Sequence, residues 1–208
     1  MSKQNFFKKD NLKISYRYYK RSKKTLIFLH GLLSDMSGKK SNFLNNYCRK
    51  NNISYLCFDF QGHGRSSGEF TNFGISDWYD DLDNIVKYLK IRNFILIGSS
   101  MGGWVAIIYA LMHPKKVTKL IGIAPAPDFT DKLIWKKFNI HQRNKIKQNK
   151  IVKQKVSSDF AYYYSPALFI RSKKYLLEKV KGDFLGETIF LHGGLSLIHI
   201  SEPTRLRS

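Results

Sequence analysis

Cysteine is scarce. Cys48 and Cys57 are the 2 cysteines of the chain, and they stand in no metal-ligand spacing, so neither a disulfide framework nor a thiolate metal site is expected. Cys57 falls in an apolar run, which points to buried, reduced thiols. Long hydrophobic runs are missing too. No stretch reaches about 18 uninterrupted apolar residues, and the opening MSKQNFFKKDNLK lacks the roughly 7–15 residue apolar core of a secretory signal, so a cytoplasmic location is the expectation. Acidic residues are few: 15 Asp and Glu stand against 36 Lys and Arg, a formal net charge of +21. Such an excess can mark nucleic acid, anionic membrane or acidic substrates as partners. The basic residues are scattered, however, and no nucleic-acid-binding module can be recognised, so a solvated basic surface is the simpler reading. The densest stretch, residues 131–155, holds nine Lys or Arg against one Asp. There an anionic membrane surface is the stronger candidate partner and nucleic acid the weaker.

What is present fits one globular domain. At 208 residues, 43% hydrophobic and 14% aromatic, the chain can bury a sizeable core. LKISYRYY (12–19) alternates like an exposed antiparallel strand, whereas TLIFLHG (25–31), ISYLCFDFQGHG (53–64), NFILIG (93–98), KLIGIA (119–124) and ETIFLHG (187–193) are short apolar runs suited to buried parallel strands. Between them, GKKSNFLNNYCRKNN can form a helix with Phe43, Leu44 and Tyr47 inward. SDWYDDLDNIVKYLK (76–90) forms a clearer one, capped by Ser76, with Trp78, Leu82, Ile85 and Leu89 in one stripe. MGGWVAIIYALMH makes a third, stopped by Pro114. Strands and helices alternating at this rhythm predict an α/β fold, a mostly parallel twisted sheet flanked by helices. Residues 128–179 carry only broken helical patterns and the aromatic run AYYY, and are read as a short helical insertion.

The chemistry concentrates at Gly98, Ser99, Ser100, Met101 and Gly102, a GxSxG pattern between an apolar strand and an apolar helix. A serine on so sharp a turn needs small neighbours, and the turn projects its hydroxyl above the carboxyl ends of the strands beside the Met101 N–H. That combination supplies a nucleophile and one oxyanion donor. The strand before His30 and Gly31 places the Leu32 N–H as a second donor.

With FLHGLLSDMSGKK, YLCFDFQGHGRSSG, ILIGSSMGGW and LIGIAPAPD, the chain resembles the α/β-hydrolase superfamily from about residue 25 to 194, and within it a branch of bacterial serine hydrolases and mitochondrial thioesterases. The resemblance implies Ser100 as nucleophile, Leu32 and Met101 as backbone oxyanion donors, and residues 128–179 as a lid over an acyl pocket. It further implies esters or thioesters as small-molecule substrates, split through an acyl-enzyme without metal or cofactor. The order in this superfamily is Ser, then Asp or Glu, then His, with the acid expected just after ETIFLHG. There the sequence instead reads LSLIHISEPTR, which resembles the translation of a sequencing adapter. Residues 1–194 are therefore taken as an incomplete hydrolase domain and 195–208 as a non-native tail, with the triad acid and histidine expected beyond residue 194 and this chain nearly inactive.

Substitutes are thin. His30 and His63 sit in Gly turns and are expected to shape loops; His113 ends a helix; His141 falls in the lid; His192 precedes the expected acid; His199 is in the tail. Among acids, Asp128 is the one substitute candidate for the triad, with loop or lid anchoring as the rival reading. Asp59 is expected to tie down the GHGRSSG loop. The crowding of Asp77, Asp80, Asp81 and Asp83 is ascribed to the helix macrodipole. The alternative function is a basic, non-enzymatic protein binding anionic membrane or nucleic acid.

Overall fold

The computed structural model describes residues 4–159 and 161–193. The hairpin β1 (Gln4–Lys9) and β2 (Leu12–Tyr19) leads into β3 (Thr25–Leu29), α1 (Lys39–Lys50), β4 (Ser54–Phe58), α2 (Ile75–Tyr88), β5 (Phe94–Ser99), α3 (Met101–Met112) and β6 (Val117–Ile123). An insertion follows: a π-helix over Phe129–Trp135, α4 (Ile140–Lys147), the hairpin β7 (Val152–Lys155) and β8 (Ala161–Tyr164), and α5 (Pro166–Ser172). The chain then returns to the sheet as β9 (Glu187–Leu191).

Seven strands form one sheet in the order β1-β2-β4-β3-β5-β6-β9. The β1–β2 and β2–β4 pairs are antiparallel and the others parallel. The central strands β3 and β4 are buried at every position, as their unbroken apolar runs require. β1 has no such signal, because Phe7 is its one buried residue.

The helices show where side-chain pattern succeeds. α2 buries Trp78, Leu82 and Ile85 completely, as its stripe predicts. Its cap differs: Gly74 precedes the helix, and its N–H donates to Asp77 Oδ2 at 2.9 Å, so Ser76 does not cap. α3 is buried from Met101 to Leu111, which fits a helix apolar all round. In α1 the expected inward face is wrong. Phe43 is 70% and Tyr47 49% exposed, whereas Ser41 and Cys48 are buried. The face is set by Ser41, whose hydroxyl bonds the buried Tyr55 hydroxyl at 3.0 Å; Leu44 and Cys48 share it at helical spacing, leaving Phe43 and Tyr47 outside.

The acid cluster on α2 also divides. Asp77 lies in the first turn, but Asp81 is fully buried and accepts from the Gln61 N–H and Gln61 Nε2, both at 2.8 Å. Burial pushes its carboxyl well above the usual range. Asp81 thus holds the loop after β4, a role the macrodipole argument missed.

The insertion is fastened to this core. Trp104 Nε1 donates to the Tyr175 carbonyl at 3.1 Å, and Arg171 pairs with Asp77 at 2.6 Å. It is less helical than expected, since AYYY forms β8, paired with β7. Among the described residues, no helix is long and apolar enough to cross a membrane.

Candidate active site

Ser100 sits between β5 and α3 at φ 51° and ψ −119°, a conformation that costs an L-residue of order 1–3 kcal/mol. The turn is held by its backbone. The Ser100 N–H donates to the Ile123 carbonyl at 3.0 Å, and the Ser100 carbonyl accepts from Gly103 at 2.9 Å and Ala126 at 3.1 Å. Close approach explains the glycines. A Cβ on Gly98 would run into the Gly102 carbonyl and to within 2.7 Å of the Gly103 Cα, and one on Gly102 would reach the Leu29 carbonyl at 2.6 Å. Strand β5, helix α3 and the end of β3 can pack this tightly only without those side chains.

Ser100, Leu32 and Met101 share the wall of a cavity of about 300 Å³. Met101 is the first residue of α3, so its N–H has no intrahelical acceptor. Among the described residues, no hydrogen bond occupies the Leu32 N–H either. The remaining walls are apolar: Phe129, Leu133 and Ile134 from the π-helix, and Tyr162 and Tyr164 from β8. The insertion therefore forms one side of the cavity in which Ser100 stands, and the aromatic run noted in the sequence supplies two of its walls.

The loops carrying Leu32 and Gly31 are anchored from below. His30 is 2% exposed; its Nδ1 lies 2.8 Å from the Gly31 carbonyl, and its Nε2 accepts from the Phe60 N–H at 3.2 Å. Those partners fix the neutral Nδ1–H tautomer, and burial lowers the ring pKa to about 4. His63 packs 5.0 Å from it, centroid to centroid, and is likewise lowered to about 4 by burial and by His30. Asp59 accepts from the Met36 N–H at 2.7 Å and the Arg65 N–H at 3.0 Å. It joins the loop after β3 to the GHGRSSG loop, as the sequence indicates. His30 and His63 are thus engaged beneath the site, and His113 bonds the Tyr79 hydroxyl at 2.8 Å away from it.

Asp128 is 1% exposed, at φ 53° where the π-helix begins. Its Oδ1 accepts from the Leu177 N–H at 2.9 Å and its Oδ2 pairs with Lys132 at 2.7 Å. Both oxygens are therefore engaged within the insertion, a geometry that suits an anchor. Among the described residues, no hydrogen bond joins a histidine to the Ser100 hydroxyl. His199 and the positions expected for the triad acid and histidine lie outside the described residues. The same holds for residues 195–208, the segment expected from the sequence to be a non-native tail. Among the described residues, no group of three or more His, Cys, Asp or Glu side chains could hold a metal ion.

The basic stretch 131–155 is partly structural. Lys132 is tied to Asp128, and Arg143 donates to the Trp135 carbonyl at 3.2 Å and the Lys136 carbonyl at 3.3 Å.

The fold that carries this serine turn is shared with known proteins. The family defined by the alpha/beta hydrolase fold matches residues 24–149, more than half of the chain. The chain belongs to the α/β-hydrolase family. Among curated relatives, the mitochondrial palmitoyl-protein thioesterase ABHD10 of Rattus norvegicus is 35% identical over 124 residues, 59% of this chain and 42% of the relative. The chain thus spans less than half the length of the curated relatives it matches. Among solved structures, a hydrolase-named protein from Agrobacterium vitis S4 superposes with a TM-score of 0.80 at 26% identity, over 91% of this chain and 77% of the other. The mouse alpha/beta hydrolase domain-containing protein 10 superposes at 0.79 and 23% identity, over 92% and 77%. The mostly parallel sheet with flanking helices is that of the family.

Proposed function

We propose that this α/β-hydrolase is a serine hydrolase that cleaves carboxylic esters or thioesters through an acyl-enzyme on Ser100. The observation that carries the reading is the strained Ser100 turn sharing one apolar-walled cavity with the unoccupied Leu32 and Met101 amides. Ser100 Oγ bonds to the acyl carbon and passes its proton to a base. The carbonyl oxygen, now anionic, takes hydrogen bonds from the two amides. When the tetrahedral centre collapses, the bond to the leaving oxygen or sulfur breaks and that atom takes the proton. Water, deprotonated by the same base, then releases the acid and restores Ser100. The name of the rat relative, a palmitoyl-protein thioesterase, accords with an acyl thioester as substrate, and the aromatic and aliphatic walls suit an acyl chain.

The base in this reading is not one of the histidines within residues 4–193, whose rings are bonded elsewhere or do not bond Ser100. On its own the described domain should retain only oxyanion-hole catalysis, roughly 10³–10⁴-fold over water. Imidazole supplied in solution replaces a missing base, so p-nitrophenyl octanoate and octanoyl thioester hydrolysis by the 208-residue chain is measured with and without imidazole, beside Ser100→Ala. Imidazole should raise turnover in the parent and leave Ser100→Ala at background. Equal rates in the two proteins would overturn Ser100 as nucleophile, and Ser100-dependent turnover at full speed without imidazole would overturn the assignment of the base.

A second reading concerns the outer surface. In the β7–β8 register Lys153 faces Tyr163 and Lys155 faces Ala161, on the side opposite Tyr162 and Tyr164. Lys153 Nζ lies 5.5 Å from the Tyr163 ring, and Tyr163 is 45% exposed. A basic, tyrosine-bearing face suits an anionic membrane surface. Lys153→Glu/Lys155→Glu should abolish retention on phosphatidylserine vesicles; unchanged retention would sink this reading.

A further inference from the structure

A second cavity, larger than the one at Ser100, also adjoins the π-helix. It measures about 400 Å³ and lies between the π-helix, α4 and α5. Its floor is apolar, built from the buried Ile146, Phe169 and Leu176 with the half-buried Trp135. Its rim is charged and wet: Lys147 and Lys173 stand at the mouth, with Asp131 as the single acid and Ile170 64% exposed beside them.

An exposed isoleucine at the mouth of an apolar cavity leaves greasy surface in water that a ligand would cover. Two ammonium groups against one carboxylate select a negative head. We propose that this cavity binds a single-chain amphiphile with an anionic head, a fatty-acid carboxylate, its chain on Trp135, Ile146 and Phe169 and its head between Lys147 and Lys173. This goes beyond the reaction at Ser100, since neither lysine lines the Ser100 cavity.

The position gives such a ligand a consequence. The π-helix presents Phe129, Leu133 and Ile134 to the Ser100 cavity and Thr130, Asp131 and Trp135 to this one, so it is the wall between them. π-Helical turns are rare and are found frequently at functional sites. A chain lying on Trp135 braces that wall from behind.

Binding is read directly, so the test stands whether or not Ser100 hydrolyses esters. Trp78 and Trp104 are fully buried, whereas Trp135 lines the cavity, so the 208-residue chain is titrated with sub-micellar dodecanoate and Trp fluorescence is followed. Saturable quenching is expected, lost in Trp135→Phe. Lys147→Glu/Lys173→Glu should weaken dodecanoate by about tenfold, the combined effect of two partly exposed charge contacts reversed in sign, while dodecanol, which has no charge, binds both proteins alike. Lys147→Gln/Lys173→Gln, which adds no new charge, should fall between. Absence of saturable binding, or a dodecanoate affinity untouched by charge reversal, would overturn the site.

Discussion

Gly31 and Ser100 face each other with no side chain between them: a Cβ on Gly31 would lie 3.3 Å from the Ser100 Cβ and 3.9 Å from its Oγ. The space at Gly31 is thus space beside the Ser100 side chain. Gly31→Ala meets ordinary or slightly tight contacts only, so the fold should lose less than about 1 kcal/mol. Imidazole-assisted ester hydrolysis should fall by about tenfold or more, because a misplacement near 1 Å at the reacting atoms costs about a hundredfold. Stability from urea melts and initial rates measured on one preparation check both halves.

Gly98→Ala tests the opposite regime. Its Cβ would collide with backbone, the Gly102 carbonyl and the Gly103 Cα, rather than with a movable side chain. Strand β5 or helix α3 must shift, with an expected loss above about 3 kcal/mol, at or beyond the upper end of overpacking costs. A urea midpoint within error of the parent would show that the β5–α3 contact is looser than described.

These two glycines also show what was legible in the sequence. Gly98, Ser100 and Gly102 announce their turn because it admits so few residue types, and the buried strands announce themselves through unbroken apolar runs. Other features depend on tertiary partners. The inward face of α1 is chosen by a hydrogen bond between the Ser41 and Tyr55 hydroxyls, which hydrophobicity cannot reveal. Asp81 is drawn inward by Gln61, although its neighbours on the helix are ordinary surface acids. β1 and the β7–β8 hairpin are short and stabilised by pairing, so neither carries a clear periodicity of its own. The GxSxG turn could be read locally. The cavity around it could not, since its walls come from segments up to 132 residues apart, Leu32 and Tyr164.

The histidine pair sets an acid limit on the loop beneath the site. His30 and His63 titrate near pH 4 in the fold and near 6.5 when unfolded. Between those values the unfolded chain binds more protons, so stability falls as pH is lowered from about 6.5 towards 4 and is fully retained above. Each ring can contribute on the order of 3 kcal/mol to that loss as an upper bound. Asp59 and Asp81, raised by burial, add slope of the opposite sign. The readout is therefore a difference: His63→Phe, which keeps the packing against Phe60, Phe70 and Trp78, should flatten the fall in urea midpoint between pH 7 and 5. An unchanged slope would place the acid sensitivity elsewhere.

Asp128 separates two roles by chemistry. As an anchor it works through Oδ1 on the Leu177 N–H and Oδ2 on Lys132. Asn keeps an acceptor for Leu177, whereas Ala leaves that amide and the Lys132 ammonium without their partner. Asp128→Ala should therefore cost about 2 kcal/mol and loosen the insertion, detectable as faster proteolysis between residues 129 and 179. Asp128→Asn should cost less and leave imidazole-assisted turnover within about threefold of the parent. A triad acid behaves differently, because an amide in its place drops turnover by about 10⁴ without harming the fold. A stable Asp128→Asn protein with turnover lost on that scale would assign Asp128 to the triad despite its present partners. Fast proteolysis of Asp128→Ala with full turnover in Asp128→Asn would fix it as the clasp that holds the insertion against the Ser100 cavity.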